Sequence, residues 1–386
     1  MHLRLGISPP SRYKDSEKSS NKSNNSKKFV ENIAELTKKH YICTRNNEEN
    51  SRIRQSESND NRTRRHPVDL LAGHLFIYTM SNQKPRTIHE QIRLLRSRGM
   101  TFSNEEEAKQ CLAHISYFRL KYYWTDMRDE ETEHDFKEGA LFDDVIARYD
   151  FDRRLRLILF DAIEIIEVAL RAKIINHLSQ AKGSGLWYLD ASLFERNDYY
   201  EDFVLDLKYE FDRSTEPFAK EYIAEQPNWD CESMEGDNPD AWMILEVATF
   251  GTLSKMYKNL KSQLPERATI ANDFGLYSAK ELSSWLEAIS VLRNIIAHHS
   301  RLWNRNLAKQ VTNPKGHRDK WLLNLLTDNQ KKKPFGVISA MIYLCNAVYP
   351  ENHIKDKLLT LIDNSPNIPY YKYGFVGDWR KEPIWR

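Results

Sequence analysis

From Thr87 onward apolar residues recur every three or four positions, and two-residue alternation is nearly absent. Ile88, Ile92, Leu94 and Leu95 predict a short helix ending at Gly99, a residue suited to close one. Ser103 and Glu106 have capping-box spacing and open a second helix through Ala108, Cys111, Leu112 and Ile115. A long helix is predicted over about 141–180, its apolar body carrying Glu164, Glu167 and Arg171. Helices follow at about 201–212 and 216–225, then a connection over 226–240 that contains Pro227, Gly236 and Pro239. Further helices are predicted at about 240–261, 266–273, 278–305, 318–327, 335–348 and 351–363. The fold class this implies is all-α.

The text before Met80 has another character. SEKSSNKSNNSKK and RNNEENSRIRQSESNDNRTRR are rich in Ser, Asn, Lys and Arg, lack apolar periodicity, and predict disorder across residues 1–66. A short apolar patch, LLAGHLFIYTM, leads to Met80. Two readings stand side by side: residues 1–79 are an extension upstream of a native start at Met80, or they are a genuine basic tail. Either way the expected folded domain is 80–386.

Charge sharpens this division. The chain carries +2 overall, but residues 1–79 hold 15 Lys and Arg against 9 Asp and Glu, a net +6. The remainder, 42 against 46, is −4. Any nucleic-acid contact on the folded part must therefore come from local clusters of Arg and aromatic residues. Four scattered cysteines, Cys43, Cys111, Cys231 and Cys345, form no CxxC pair, which fits a reducing cytoplasm better than a zinc cluster or a disulfide framework. No apolar run reaches the roughly 18 residues that span a bilayer, so no membrane role is expected. GxGxxG, GxxxxGK[ST] and HExxH are all missing, which argues against nucleotide-cofactor and zinc-protease chemistry.

The candidate chemistry lies in residues 285–305, WLEAISVLRNIIAHHSRLWNR. Trp285, Leu286, Ile289, Leu292, Ile295 and Ile296 mark a packed helix, yet Arg293, Asn294, His298 and His299 sit within it. Packing gives no reason to gather a cation, an amide and two imidazoles on such a helix. Together they suit chemistry on a phosphodiester: imidazole moves protons near neutral pH, and guanidinium grips phosphate oxygens. The plainer reading is an internal polar network that caps the helix.

RNIIAHHSRLWNR resembles the signature of the Abi-like (AbiD/AbiF) abortive-infection family, which belongs to the HEPN superfamily. KPRTIHEQIRLLRSRGM, ISYFRLKYYW, IEVALRAKIINHL, PDAWMILEVATFGTLSKMYKNL and YGFVGDWRKEPIW are similar to its other landmarks and follow in the same order. The resemblance covers about 80–386 and implies a HEPN-type helical bundle with additional N- and C-terminal helices. It implies a metal-independent endoribonuclease of phage defence, with no cofactor, in which the ribose 2′-OH attacks the phosphate and leaves a 2′,3′-cyclic phosphate. By matching positions, Arg293 would bind phosphate and His298 transfer protons. Asn294 would orient either group, with His299 and Arg301 in support. A small noncoding RNA is a further partner that the family implies. The competing class is a non-catalytic RNA-binding or scaffold protein of a toxin–antitoxin-like system.

Five residues at about 100° each place Arg293 and His298 roughly 140° apart around a helix, which leaves half of a site. A homodimer in which two copies share one cleft would complete it, as HEPN nucleases generally do. A second, looser pair, Arg171 and His177, is the other source of the missing half. Glu167 stands four residues before Arg171, however, in the order of an ordinary helix salt bridge. Tyr117, Arg119, Tyr122, Trp303, Asn304 and Arg305 are RNA-binding candidates, since aromatic faces and cations suit bases and phosphates. Tyr117, Tyr122 and Trp303 would equally serve a core edge. No metal site is expected, because no carboxylate stands at ligand spacing beside the two histidines.

Overall fold

A computed structural model describes residues 84–386, apart from Glu133, residues 232–235 and Arg318. Met80, the basic segment before it and Cys43 lie outside the described residues. Among the described residues there are thirteen helices and no strand, only isolated bridges such as Thr101 with Leu141. The all-α expectation holds.

Helix α1, Ile88–Ser97, opens on a capping box in which Thr87 and Glu90 satisfy each other's backbone N–H groups. It closes on Gly99 at φ +93°, with Gly99 N–H donating to Arg96 O and Met100 N–H to Leu95 O, both at 3.0 Å. Helix α2, Glu105–Ile115, is capped by Asn104 and not by Ser103 as expected. The Asn104 side chain accepts from Glu106 and Glu107, while the Ser103 N–H donates to Asp143. The short α3, Tyr117–Leu120, leads toward α4, Phe142–Lys182, which at 41 residues is about 60 Å long.

Helices α5 (Asn197–Asp212) and α6 (Pro217–Glu225) follow. The single helix expected over 240–261 is two, α7 (Ala241–Ile244) and α8 (Phe250–Asn259). Thr249 starts α8 as its cap, accepting the Thr252 N–H at 3.2 Å. The carbonyls freed by the break, Leu245 O and Ala248 O, accept from the Arg171 guanidinium at 2.8 and 3.1 Å. Then come α9 (Pro265–Asp273) and α10 (Ala279–Ala297). No helix forms over 319–327. Instead the backbone at Leu323 and the Asn324 amide donate to Glu382, and the short α11, Asp328–Lys332, begins afterwards. Helices α12 (Pro334–Val348) and α13 (Ile354–Asp363) complete the set.

Every residue of α12 from Pro334 to Cys345 is buried, which fits its nearly continuous apolar sequence. It packs against α4 and α10, and α4 also carries α9 and α13. Trp385 Nε1–H donates to Ser339 on α12 at 3.1 Å, and Phe335, Phe375, Trp379 and Trp385 form one aromatic cluster. The C-terminal residues are thereby fastened to the central helix. One face of α4 remains uncovered: Leu157 (61% exposed), Phe160 and Val168 line it, with Glu164 between them. Their spacing of three, four and four residues makes one stripe.

Candidate active site at the end of α10

Helix α10 ends at Ala297, eight residues before the expected boundary. His298 is its C-cap, and its N–H donates to Asn294 O at 3.2 Å. His299 takes the left-handed conformation at φ +53°. Its N–H donates to Ile296 O at 2.8 Å, and the Ser300 N–H donates to Ile295 O at 2.9 Å. This is the same closure that Gly99 gives α1, with a histidine where glycine is favoured. His299 is therefore the residue that stops the helix, and RLWNR becomes a turn instead of a further helical stretch.

The apolar face of α10 (Trp285, Leu286, Ile289, Leu292 and Ile296) is buried as the periodicity requires. Arg293 is half-buried, whereas Asn294, His298 and His299 are exposed. Among the described residues Arg293 makes no hydrogen bond or close ion pair, and its charge is felt by Glu167 of α4. Burial pushes the Glu167 carboxyl up, while Arg171 and then Arg293 draw it back. Glu167, Arg171 and Arg293 are thus neighbours, which leaves Arg293 available to an anion.

Arg171 and His177 have different partners in the fold. Arg171 is engaged by Leu245 O, Ala248 O and Glu167, and it fills the break between α7 and α8. His177 instead meets Asp273 at 2.8 Å, together with Lys173. Burial raises the Asp273 carboxyl, but the hydrogen bonds from His177 and Lys173 outweigh this and hold it below the usual aspartate value.

The RLWNR turn is anchored by Asp152, a fully buried carboxylate on α4. It accepts the N–H of Trp303 at 2.8 Å and of Leu302 at 3.1 Å, the hydroxyls of Tyr123 and Tyr373 at 2.8 and 3.0 Å, and Arg156. Burial pushes this carboxyl up, and Arg156 followed by the two phenols opposes the shift. Trp303 is itself buried between Tyr123 and Tyr373, with Arg148 over its ring at 5.0 Å. It belongs to the core and offers no face to RNA. Tyr117 is half-buried and packs edge-on against Trp124 at 5.1 Å.

The other candidates do come together. Arg119, Tyr122, Arg301, Asn304 and Arg305 line a cleft of about 610 Å³ beside His299, joined by Phe118, Tyr123, Ser300 and Asn306. Arg119 donates to the His299 carbonyl, so α3 braces the closed end of α10. The Arg301 guanidinium stands 4.8 Å from the Tyr122 ring centroid and donates to Trp303 O. Asn304 has φ +47°, a conformation that asparagine tolerates well, and accepts from Lys333 at 3.0 Å. Phe118 lies within ISYFRLKYYW, where its exposure has no local signal. Lys333 had no local signal, being brought in from the start of α12.

No helix among the described residues is long and apolar enough to cross a membrane. No group of three or more His, Cys, Asp or Glu among them is placed to hold a metal ion. A family model described as Abi-like protein matches residues 110–304, half of the chain, from within α2 to the RLWN turn. No curated protein and no solved structure matches. The matched stretch holds α4, the α7–α8 break and the α10 terminus in the arrangement described. The chain belongs to the Abi-like family, and so to the proteins of abortive infection, a phage-defence response.

Proposed function

We propose that this protein acts in phage defence as a metal-independent endoribonuclease of HEPN type. One observation carries the reading: His298 is exposed at the capped end of α10, five residues after an available arginine and beside a cleft of guanidinium groups. In the reaction an imidazole of His298 takes the proton of a ribose 2′-OH, and O2′ attacks the adjacent phosphorus. The bond to the 5′-oxygen breaks, and that oxygen leaves with a proton from a second acid. Arg293 holds the non-bridging oxygens and stabilises the charge that grows on them. Asn294, exposed on the same turn, orients the phosphate.

One chain has one such histidine, and two proton carriers are required. We assign the second to another copy of the chain. The exposed stripe of Leu157, Phe160 and Val168 supports a homodimer, because Glu167 and Arg171, next to Arg293, lie along its flank. A small regulatory RNA is compatible with this arrangement as a further partner.

The test is a substrate in which the ribose at a mapped cleavage position is replaced by 2′-deoxyribose. The reading predicts that this position resists and that normal cuts leave 2′,3′-cyclic phosphate. Undiminished cleavage at the deoxy position, or products with a free 3′-OH, would overturn it.

A further inference from the structure

The cleft beside His299 has a composition that the cleavage step alone does not require. Of its lining residues Arg119, Arg301 and Arg305 are cationic, and none is acidic. Among the described residues, none of the three makes an ion pair with a carboxylate. Their guanidinium hydrogen bonds go to carbonyls: His299 O for Arg119, Trp303 O for Arg301, and Arg301 O at 3.4 Å for Arg305. Asp152, the carboxylate that acts on Arg305, is fully buried beneath the turn and already has five donor groups. Lys333, the residue that caps the start of α12, adds a fourth cation through Asn304. Burial and the neighbouring charge of Arg301 both disfavour the charged form of Arg305, and Lys333 is disfavoured by burial, Lys372 and Arg301. Asp152 favours the charged Arg305 from beneath the turn, but like charges held together with no ion-paired carboxylate are relieved by an anion.

An apolar surface adjoins the cations. Phe118 is 65% exposed, which folding within one chain does not explain. Tyr122 meets it edge-on at 5.9 Å, and Lys121 stands 3.8 Å from the Phe118 ring centroid. Cations beside an exposed aromatic surface match a phosphate followed by its base. The cleft begins at Ser300, two residues from His298, so both features lie within reach of a strand cut at that histidine.

We infer that this cleft is a second RNA subsite, taking a phosphate that flanks the scissile one and stacking an unpaired base on Phe118 and Tyr122. The inference rests on the ribonuclease reading for which strand occupies the cleft. It adds that the substrate is single-stranded there, since a base within a duplex has its faces covered by neighbours.

The test uses the full chain with His298→Ala, so that the strand stays intact, and measures fluorescence anisotropy with a labelled oligoribonucleotide. The single strand should bind at least about tenfold more tightly than the same strand in a duplex. Phe118→Ala should weaken single-strand binding by about tenfold, the low range for a lost stacking partner. Arg301→Ala with Arg305→Ala should lower the salt slope by roughly 1.4, at about 0.7 per lost phosphate contact on a single strand. Thermal melts establish that each variant is folded, and Arg305→Lys should restore part of the salt slope.

Equal binding of duplex and single strand would overturn the inference, as would cleft variants that bind like the background protein. Displacement of the strand by pyrophosphate as readily as by unlabelled strand would also overturn it, by marking a small-anion pocket. Full cleavage by a His298 protein carrying the cleft changes would remove this subsite and leave the ribonuclease reading intact. Cleft-dependent strand binding together with no RNA cleavage by the unsubstituted chain would remove the ribonuclease reading and leave the subsite.

Discussion

The Asp152 carboxylate accepts the backbone N–H of Trp303 at 2.8 Å, across 151 residues of sequence, and so fixes the turn that follows the α10 terminus. Removing it leaves Arg156 and several buried donors without their acceptor. Asp152→Ala is expected to cost about 3–5 kcal/mol, the range for breaking a buried charge pair. Trp303→Ala should cost a similar amount, roughly 3–5 kcal/mol, through the cavity it leaves. Urea denaturation measures both. Retention of wild-type stability by Asp152→Ala would show that the turn is held by other contacts.

His299 and His298 are adjacent but have separate roles, which substitution should resolve. At φ +53° His299→Gly should change stability by less than about 1 kcal/mol. His299→Val should destabilise by about 1–2 kcal/mol, because a β-branched residue resists this conformation. RNA cleavage should survive His299→Gly within a few-fold and disappear with His298→Ala. The reverse pattern would exchange the two roles.

The His177–Asp273 pair predicts a stability effect without an activity effect. Asp273 lies below its ordinary pKa in the folded chain, so it contributes stability above the unfolded aspartate pKa. That contribution is lost as pH falls through the folded value. Asp273→Asn should therefore destabilise at neutral pH, by roughly 0.5–1 kcal/mol for a pair partly open to solvent. The difference from wild type should fade below about pH 4. His177→Ala should leave cleavage unchanged, and a severe loss of cleavage would restore His177 to the reaction.

The α4 stripe predicts an assembly. Phe160→Asp places a charge in the centre of the uncovered apolar face and should yield monomers by light scattering while preserving the fold. Cleavage should fall at least about a hundredfold, since one of two proton-transfer groups is lost. A folded monomer with full cleavage would contradict the shared site.

Much of this was legible from periodicity, and the failures have local causes. The apolar repeat of α10 marked its buried face correctly, but it continued through Ile296 into Leu302 and Trp303 and disguised the end of the helix. What ends it is the left-handed His299, a residue type with little chain-terminating signal. The break between α7 and α8 was hidden because its free carbonyls are satisfied by Arg171, 74 residues earlier. Arg119 and Arg305 were legible as cations next to aromatics, whereas Trp303 was drawn into the same group by composition and is core. Asp152 followed by Arg156 has the spacing of a surface helix pair, and nothing local indicates that tyrosines and a distant turn converge on it.

The most direct measurement is cleavage of end-labelled total RNA in EDTA by the wild type, Arg293→Ala and His298→Ala, each shown to be folded. The account predicts cutting by the wild type, with a loss of at least about a hundredfold in either variant. Equal RNA binding by all three with no cleavage by any would contradict it and make the protein a binding or scaffold component of the defence response.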